Sequence, residues 1–110
     1  MTKIFISQPM SGLSEDEIKN KRAEVTAYLK EKFGEDVEIL DSYFEDFNPE
    51  NGNAALKYLA MAIGVLADAD VAYFTADWSE SRGCKIERAC AESYGIDIIE
   101  EIIEDEVNIF

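Results

Sequence analysis

The chain predicts a three-layer α/β fold of the Rossmann-like kind, with a parallel sheet of four to five strands between helices. Short runs of β-formers alternate with helical stripes in the order β-α-β-α-β-α-β, the pattern that places parallel strands side by side through right-handed crossovers. The third such run, Ala69–Thr75 (ADVAYFT), is almost continuously apolar, as expected of a central strand covered on both faces. At 110 residues, 47% of them apolar, residues 1–110 make one domain with a core of its own.

Each element follows from local chemistry. Lys3–Ser7 (KIFIS) reads as strand 1. The loop Gln8–Leu13 carries Pro9 and Gly12 as breakers, and Ser14 with Glu17 forms a capping box that opens helix 1. Ile18, Val25, Tyr28, Leu29 and Phe33 give that helix its apolar stripe, and Gly34 closes it. Val37–Asp41 reads as strand 2. The loop Ser42–Asn53 is long enough to be functional. Ala54–Leu66 is a helix with Lys57 its only charge; being apolar on most sides, it predicts cover from the sheet on one face and from a partner subunit on another. After strand 3 come the loop Ala76–Ser81, helix 3 over Arg82–Tyr94, Gly95 as its stop and strand 4 over Ile96–Ile99. The acidic tail Glu100–Phe110 is given no element. Ligands of such sheets bind beyond the carboxyl ends of the strands, so the three loops and the start of helix 3 are the candidate site.

Composition narrows the chemistry. With 24 acidic against ten basic residues the net charge is −14, which repels nucleic acid polymers and anionic membranes; solubility is the plain explanation of the acidity. There are no histidines, so Ser-His-Asp and Cys-His catalysis are excluded. Two cysteines are too few for an ordinary zinc site; no metal and no cofactor is expected. Cys84 and Cys90 fall on different sides of one helix and cannot pair, which suggests a reducing, cytoplasmic setting. No targeting leader is expected, and no apolar run has membrane-spanning length.

Helix 3 contains the residue that breaks the pattern. Lys85, Arg88 and Glu92 share a solvent face, while Gly83, Cys84, Cys90, Ala91 and Tyr94 gather opposite, with Glu87 among them. An inward carboxylate is costly unless paired or employed. From its place in the second turn Glu87 can serve as nucleophile or base, or it can pair with an arginine or cap an amide. Ser79, Ser81 and Gly83 surround a helix start beside Arg82, a composition that suits an anion or simple capping. Asp77 and Trp78 follow strand 3 at the site edge, where Trp78 could stack on a ring, and Asp41 ends strand 2 at the same edge. Asp70 starts strand 3 at the opposite edge and reads as structural.

KIFISQPMSG at the start, LADADVAYF from Leu66, and WSESRGCKIERACAESYG ending at Gly95 resemble the nucleoside 2-deoxyribosyltransferase superfamily, in particular a small branch frequent in bacteriophage and bacterial genomes. The resemblance covers most of the chain. It implies cleavage or transfer of the N-glycosidic bond of a nucleoside or nucleoside 5′-monophosphate, in a homodimer or larger homo-oligomer. Glu87 corresponds to the glutamate that attacks the sugar C1′, and Gly83 to the family glycine four residues before it. Ser81 stands where the related deoxynucleotide N-hydrolases hold a 5′-phosphate, with Arg82 adjacent. Gln8, Pro9, Met10 and Gly12 match the loop lying against sugar and base, and Asp77 and Trp78 are expected to complete that pocket. The aspartate that acts as acid in the hydrolase branch has no counterpart in Tyr58–Ile63, and the first-loop arginine is missing. Asp77, Asp41 or a partner subunit then takes over, or the protein binds nucleotides without cleaving them. A third reading makes the acidic surface a docking face for a basic protein.

Overall fold

Strand β1 (Thr2–Ser7) buries four consecutive residues, Ile4 to Ser7, which requires protein on both of its faces. The computed structural model, describing residues 1–45 and 47–102, supplies it. Helix α1 (Glu15–Phe33), strand β2 (Val37–Ile39), helix α2 (Ala54–Leu66), strand β3 (Val71–Phe74), helix α3 (Arg82–Ser93) and strand β4 (Asp97–Glu100) follow, with a short 3₁₀ turn at Trp78–Glu80. The four strands form one parallel sheet in the order β2-β1-β3-β4.

Side-chain alternation along the strands divides the core. Ile4, Ile6, Val71 and Tyr73 pack with Val25 and Leu29 of α1. Phe5, Ala72 and Phe74 point the other way, onto Ala62 and Leu66 of α2 and Ala91 of α3. Helices thus cover both faces, in three layers. The chain leaves β1 toward β2 on one side and returns past it to β3 on the other, so β1 and β3 flank the switch point where such folds open a crevice.

The boundaries differ from expectation in ways that have causes. At α1 the box closes as expected: Ser14 Oγ accepts from Glu17 N at 3.1 Å, and Glu17 Oε1 from Ser14 N at 3.3 Å. β2 stops short of Asp41. The Leu40 amide still reaches Ile4 O at 2.9 Å, but the Leu40 carbonyl turns to Arg22 Nη2 at 3.1 Å. β3 is two residues shorter at its start and one at its end than the apolar run. The Asp70 and Thr75 amides nevertheless bond Lys3 O and Ser7 O. Asp70 also accepts from Lys3 N at 2.8 Å, a structural role at the edge away from the crevice.

Two side chains expected inside are not, and α2 is more open than its sequence suggests. Tyr28 of the α1 stripe is half exposed, tilted against Tyr73 at 6.0 Å. Tyr94 is 84% exposed, because α3 ends at Ser93 and Gly95, at φ 74°, turns the chain out of the helical period. On α2 only Ala62 and Leu66 are buried; Leu56 and Met61 face solvent in the single chain. At the sheet's end Glu101 ties the chain down. Its amide bonds Phe74 O, and its carboxylate accepts from Ala76 N and Lys21 Nζ. The remainder of the acidic tail, 103–110, lies outside the described residues. Among the described residues no helix is long and apolar enough to cross a membrane.

Candidate active site

Ser7 is the last residue of β1, at the carboxyl edge of the sheet beside the switch point, and it is buried. Its hydroxyl donates to Glu87 Oε1 at 2.6 Å, within the short range typical of a hydroxyl on a carboxylate. Glu87 comes from the second turn of α3 and is 8% exposed. Burial pushes its carboxyl pKa up to about 7, while the Ser7 hydrogen bond and the charge of Arg22 pull it back. One turn earlier Cys84 is buried too, and burial raises its thiol pKa.

A cavity of about 610 Å³ opens in front of this pair. Its wall is assembled from the β1 end, the β1–α1 loop, the β2–α2 loop, α2 and the start of α3. Apolar and aromatic groups (Met10, Tyr43, Phe47, Tyr58, Leu59) alternate with polar ones (Gln8, Ser42, Asn53, Ser81, Arg82), and Glu87 is the only carboxylate lining it among the described residues. That composition suits a flat, partly apolar ligand carrying a polar or anionic portion.

Several predicted residues meet here. Gln8, Met10, Ser81, Arg82, Gly83 and Glu87 all line the cavity. Ser81 caps α3, accepting from Cys84 N at 3.3 Å. A Cβ on Gly83 would meet nothing closer than 4.0 Å, so packing does not demand glycine there. Pro9 and Gly12 do not line the wall but shape the loop. The Leu13 amide bonds Met10 O at 3.1 Å, and Gly12 takes the positive φ (81°) that this turn needs.

Asp77, Trp78 and Asp41 are not brought to the cavity. Trp78 packs edge-on against Phe74 at 6.0 Å, with the Arg88 guanidinium 4.5 Å over its ring. Asp77 is exposed and accepts from Thr75 Oγ1 at 2.9 Å. Asp41 lies in a neighbouring depression with Lys19, Tyr43 and Glu45. Sheet-edge reasoning identifies the right edge but not which strand pair opens, and the loop after β3 folds back over the core instead. Arg88, expected on the solvent face, is only 19% exposed at its side chain. It pairs with Glu92 and Glu100 above those two rings.

Two residues not singled out in the sequence organise the site. The Arg22 guanidinium donates to Gln8 Oε1 (3.2 Å), Leu40 O (3.1 Å) and Ser42 Oγ (2.8 Å). The Gln8 amide in turn donates to Ile18 O at 3.3 Å. Arg22 sits four after Ile18 and three before Val25, on the buried stripe of α1, so a cation on an apolar stripe was the signal. Tyr58 offers its hydroxyl to the cavity wall from α2 and accepts from Phe44 N at 3.1 Å. Its only cue was a phenol on an otherwise apolar helix.

A family model, the Domain of unknown function (DUF4406), matches residues 2–100. No curated protein and no solved structure matches the chain. The match takes in every strand and helix described above together with all the cavity-lining residues, and the chain belongs to the DUF4406 family.

Proposed function

We propose that this protein cleaves or transfers the N-glycosidic bond of a (deoxy)nucleoside or nucleoside 5′-monophosphate, with Glu87 as the nucleophile. This is the chemistry of the nucleoside 2-deoxyribosyltransferase superfamily that its motifs resemble. One observation carries the proposal. A buried carboxylate, oriented by a serine at the end of β1, faces a part-aromatic cavity at the sheet's switch point. Departure of a nucleobase leaves an oxocarbenium-like sugar, which a carboxylate at that place captures as a glycosyl ester, as in retaining glycosidases. Water or a second base then releases the sugar. Tyr43, Phe47 and Tyr58 provide surfaces for a base, and Ser81 with Arg82 at the α3 start favours a 5′-phosphate.

A second reading is a nucleotide-binding or sequestering protein on the same scaffold. It is favoured by the absence of a second carboxylate from the described cavity wall. The exposed apolar face of α2 supports packing against another copy of the chain, and the two free thiols support a cytoplasmic setting.

The test is chromatographic. Nucleosides and their 5′-monophosphates are incubated with wild type and Glu87→Gln, and free base is measured. Wild type is expected to release base from at least one of them, and Glu87→Gln to lose about 10³-fold or more of that rate. Tight binding with no release by either protein would establish the sequestering reading instead.

A further inference from the structure

Breaking an N-glycosidic bond needs a proton donor for the leaving base as well as a nucleophile. If Glu87 attacks the sugar, that donor must be another group in the wall. The aspartates are elsewhere: Asp77 is held by Thr75, and Asp41 lies in the neighbouring depression. Among the hydroxyls, Ser42 is held between Arg22 and Ile6 O, and Ser81, which accepts from Cys84 N in capping α3, is an aliphatic alcohol and a far weaker acid than a phenol.

We propose that Tyr58 is the proton donor to the departing base, an inference that rests on the glycosidic reading of the site. Three features of its placement carry the assignment. First, the ring is fixed. Phe44 and Phe47 pack against it edge-on, at centroid distances of 5.1 and 5.3 Å. Second, the Phe44 amide donates to the phenol oxygen at 3.1 Å, which leaves the hydroxyl proton to be directed elsewhere. Third, that proton has only poor acceptors within the protein. Ser42 O, 3.4 Å away, lies beyond the usual distance for a hydroxyl on oxygen, and Met10 Sδ, at 3.3 Å, is a thioether sulfur and a weak acceptor. Met10, Ser42 and Tyr58 all line the cavity, so a ligand nitrogen or oxygen there is a better acceptor than either.

The step balances. The C1′–N bond breaks with its electron pair going to the base, and Glu87 bonds to C1′. The Tyr58 proton passes to the base, leaving a phenolate. In the second half water attacks C1′, its proton returns to Tyr58, and Glu87 leaves as a carboxylate. The Phe44 amide already points at the oxygen on which the negative charge develops. The charged and titratable groups facing Tyr58 are Arg22 from α1, Tyr43 from the β2–α2 loop and Glu87 from α3. Burial raises its pKa most, and the Phe44 amide and Arg22 oppose that rise, so the phenol stays protonated at neutral pH and ready to donate.

The experiment compares two leaving groups on one sugar: the nucleoside or nucleotide that wild type cleaves, and the matching 4-nitrophenyl glycoside, whose leaving group departs without a proton. Tyr58→Phe is expected to lose about 10²-fold or more in kcat/KM on the natural substrate and to retain most of its rate on the nitrophenyl glycoside. Glu87→Gln loses rate on both. Equal losses for Tyr58→Phe on the two substrates, or no loss on either, would overturn the assignment while leaving Glu87 as nucleophile. If wild type cleaves neither, the glycosidic reading itself fails and the assignment falls with it. Should Tyr58→Phe fold poorly by circular dichroism, a fluorinated tyrosine at position 58 replaces it. The alkaline limb of the pH profile is expected to move to lower pH, and an unmoved limb overturns the assignment.

Discussion

Glu87 and Arg88 are adjacent in α3, both charged and both drawn away from solvent, yet their surroundings are opposite. Arg88 lies across two aromatic rings and reaches two carboxylates, Glu92 and Glu100. Glu87 has one neutral hydroxyl, and the cation whose charge acts on it, Arg22, is engaged with Gln8, Leu40 and Ser42. A step of about 100° along the helix separates a charge whose needs are met from one left short. The first is built to hold the β3–β4 side of the sheet together. The second faces the β1–β3 crevice, and that difference in satisfaction, more than burial, is what makes Glu87 the candidate for the proposed chemistry.

The comparison breaks first at Glu87. The carboxyl pKa is about 7 in the folded chain, against 4.5 for the free group. Below both values the side chain is neutral in either state and burial of charge costs nothing. Between them the unfolded chain releases a proton that the folded one keeps, so stability falls as pH rises. Above pH 7 the penalty is constant, on the order of 3 kcal/mol. Glu87→Gln, which still accepts from Ser7, is therefore expected to be more stable than wild type by about that amount at pH 8 and equal to it near pH 4, while losing turnover. Melting temperatures of both proteins across that range decide it; a pH-independent difference would mean that the carboxylate is not held under strain. Turnover should follow the same group in the other sense, rising with pH through about 7 as the nucleophile ionises.

Arg22 sharpens the contrast with a somewhat smaller effect. Arg22→Met keeps much of the stem but removes the donors to Gln8, Leu40 O and Ser42. Leaving these acceptors buried costs about 1–3 kcal/mol, read as a lower denaturation midpoint. It also withdraws the positive charge that lowers the Glu87 pKa, so the acid limb of the pH–rate profile is expected to move to higher pH. A stability loss with an unmoved limb would make Arg22 a structural strut alone.

How far these roles were legible in the sequence depends on the kind of signal. Periodicity located Glu87, because a carboxylate among Cys84 and Ala91 violates a pattern that hydrophobic burial enforces. The same rule marks Arg22, on the line from Ile18 to Val25, but a lone arginine has a long stem that commonly reaches out of an apolar stripe. The strands and helices were legible to within a residue or two, since alternation and capping are local. What was not local was the direction of the turn after β3. Trp78 and Asp77 stand at the correct sheet edge, but Thr75 captures the aspartate, and Phe74 with Arg88 captures the indole. Both depend on partners, Arg88 above all, whose positions only the folded chain determines.

Arg88 itself gives the smallest expected effect and the cleanest control. Its pairs with Glu92 and Glu100 are largely exposed on the acid side, and such pairs contribute roughly 0–1 kcal/mol each. Its guanidinium over Trp78 adds about 0.5–1 kcal/mol. Arg88→Ala is therefore expected to lower stability by about 1–2 kcal/mol. In 1 M salt, where the screening length is about 3 Å, part of that difference should vanish, while the contact with the rings persists. Turnover should not change, because Arg88 does not line the cavity. If denaturant midpoints fall and turnover falls with them, the back of α3 is not a separate structural region, and the site extends across the helix to the β3–β4 side.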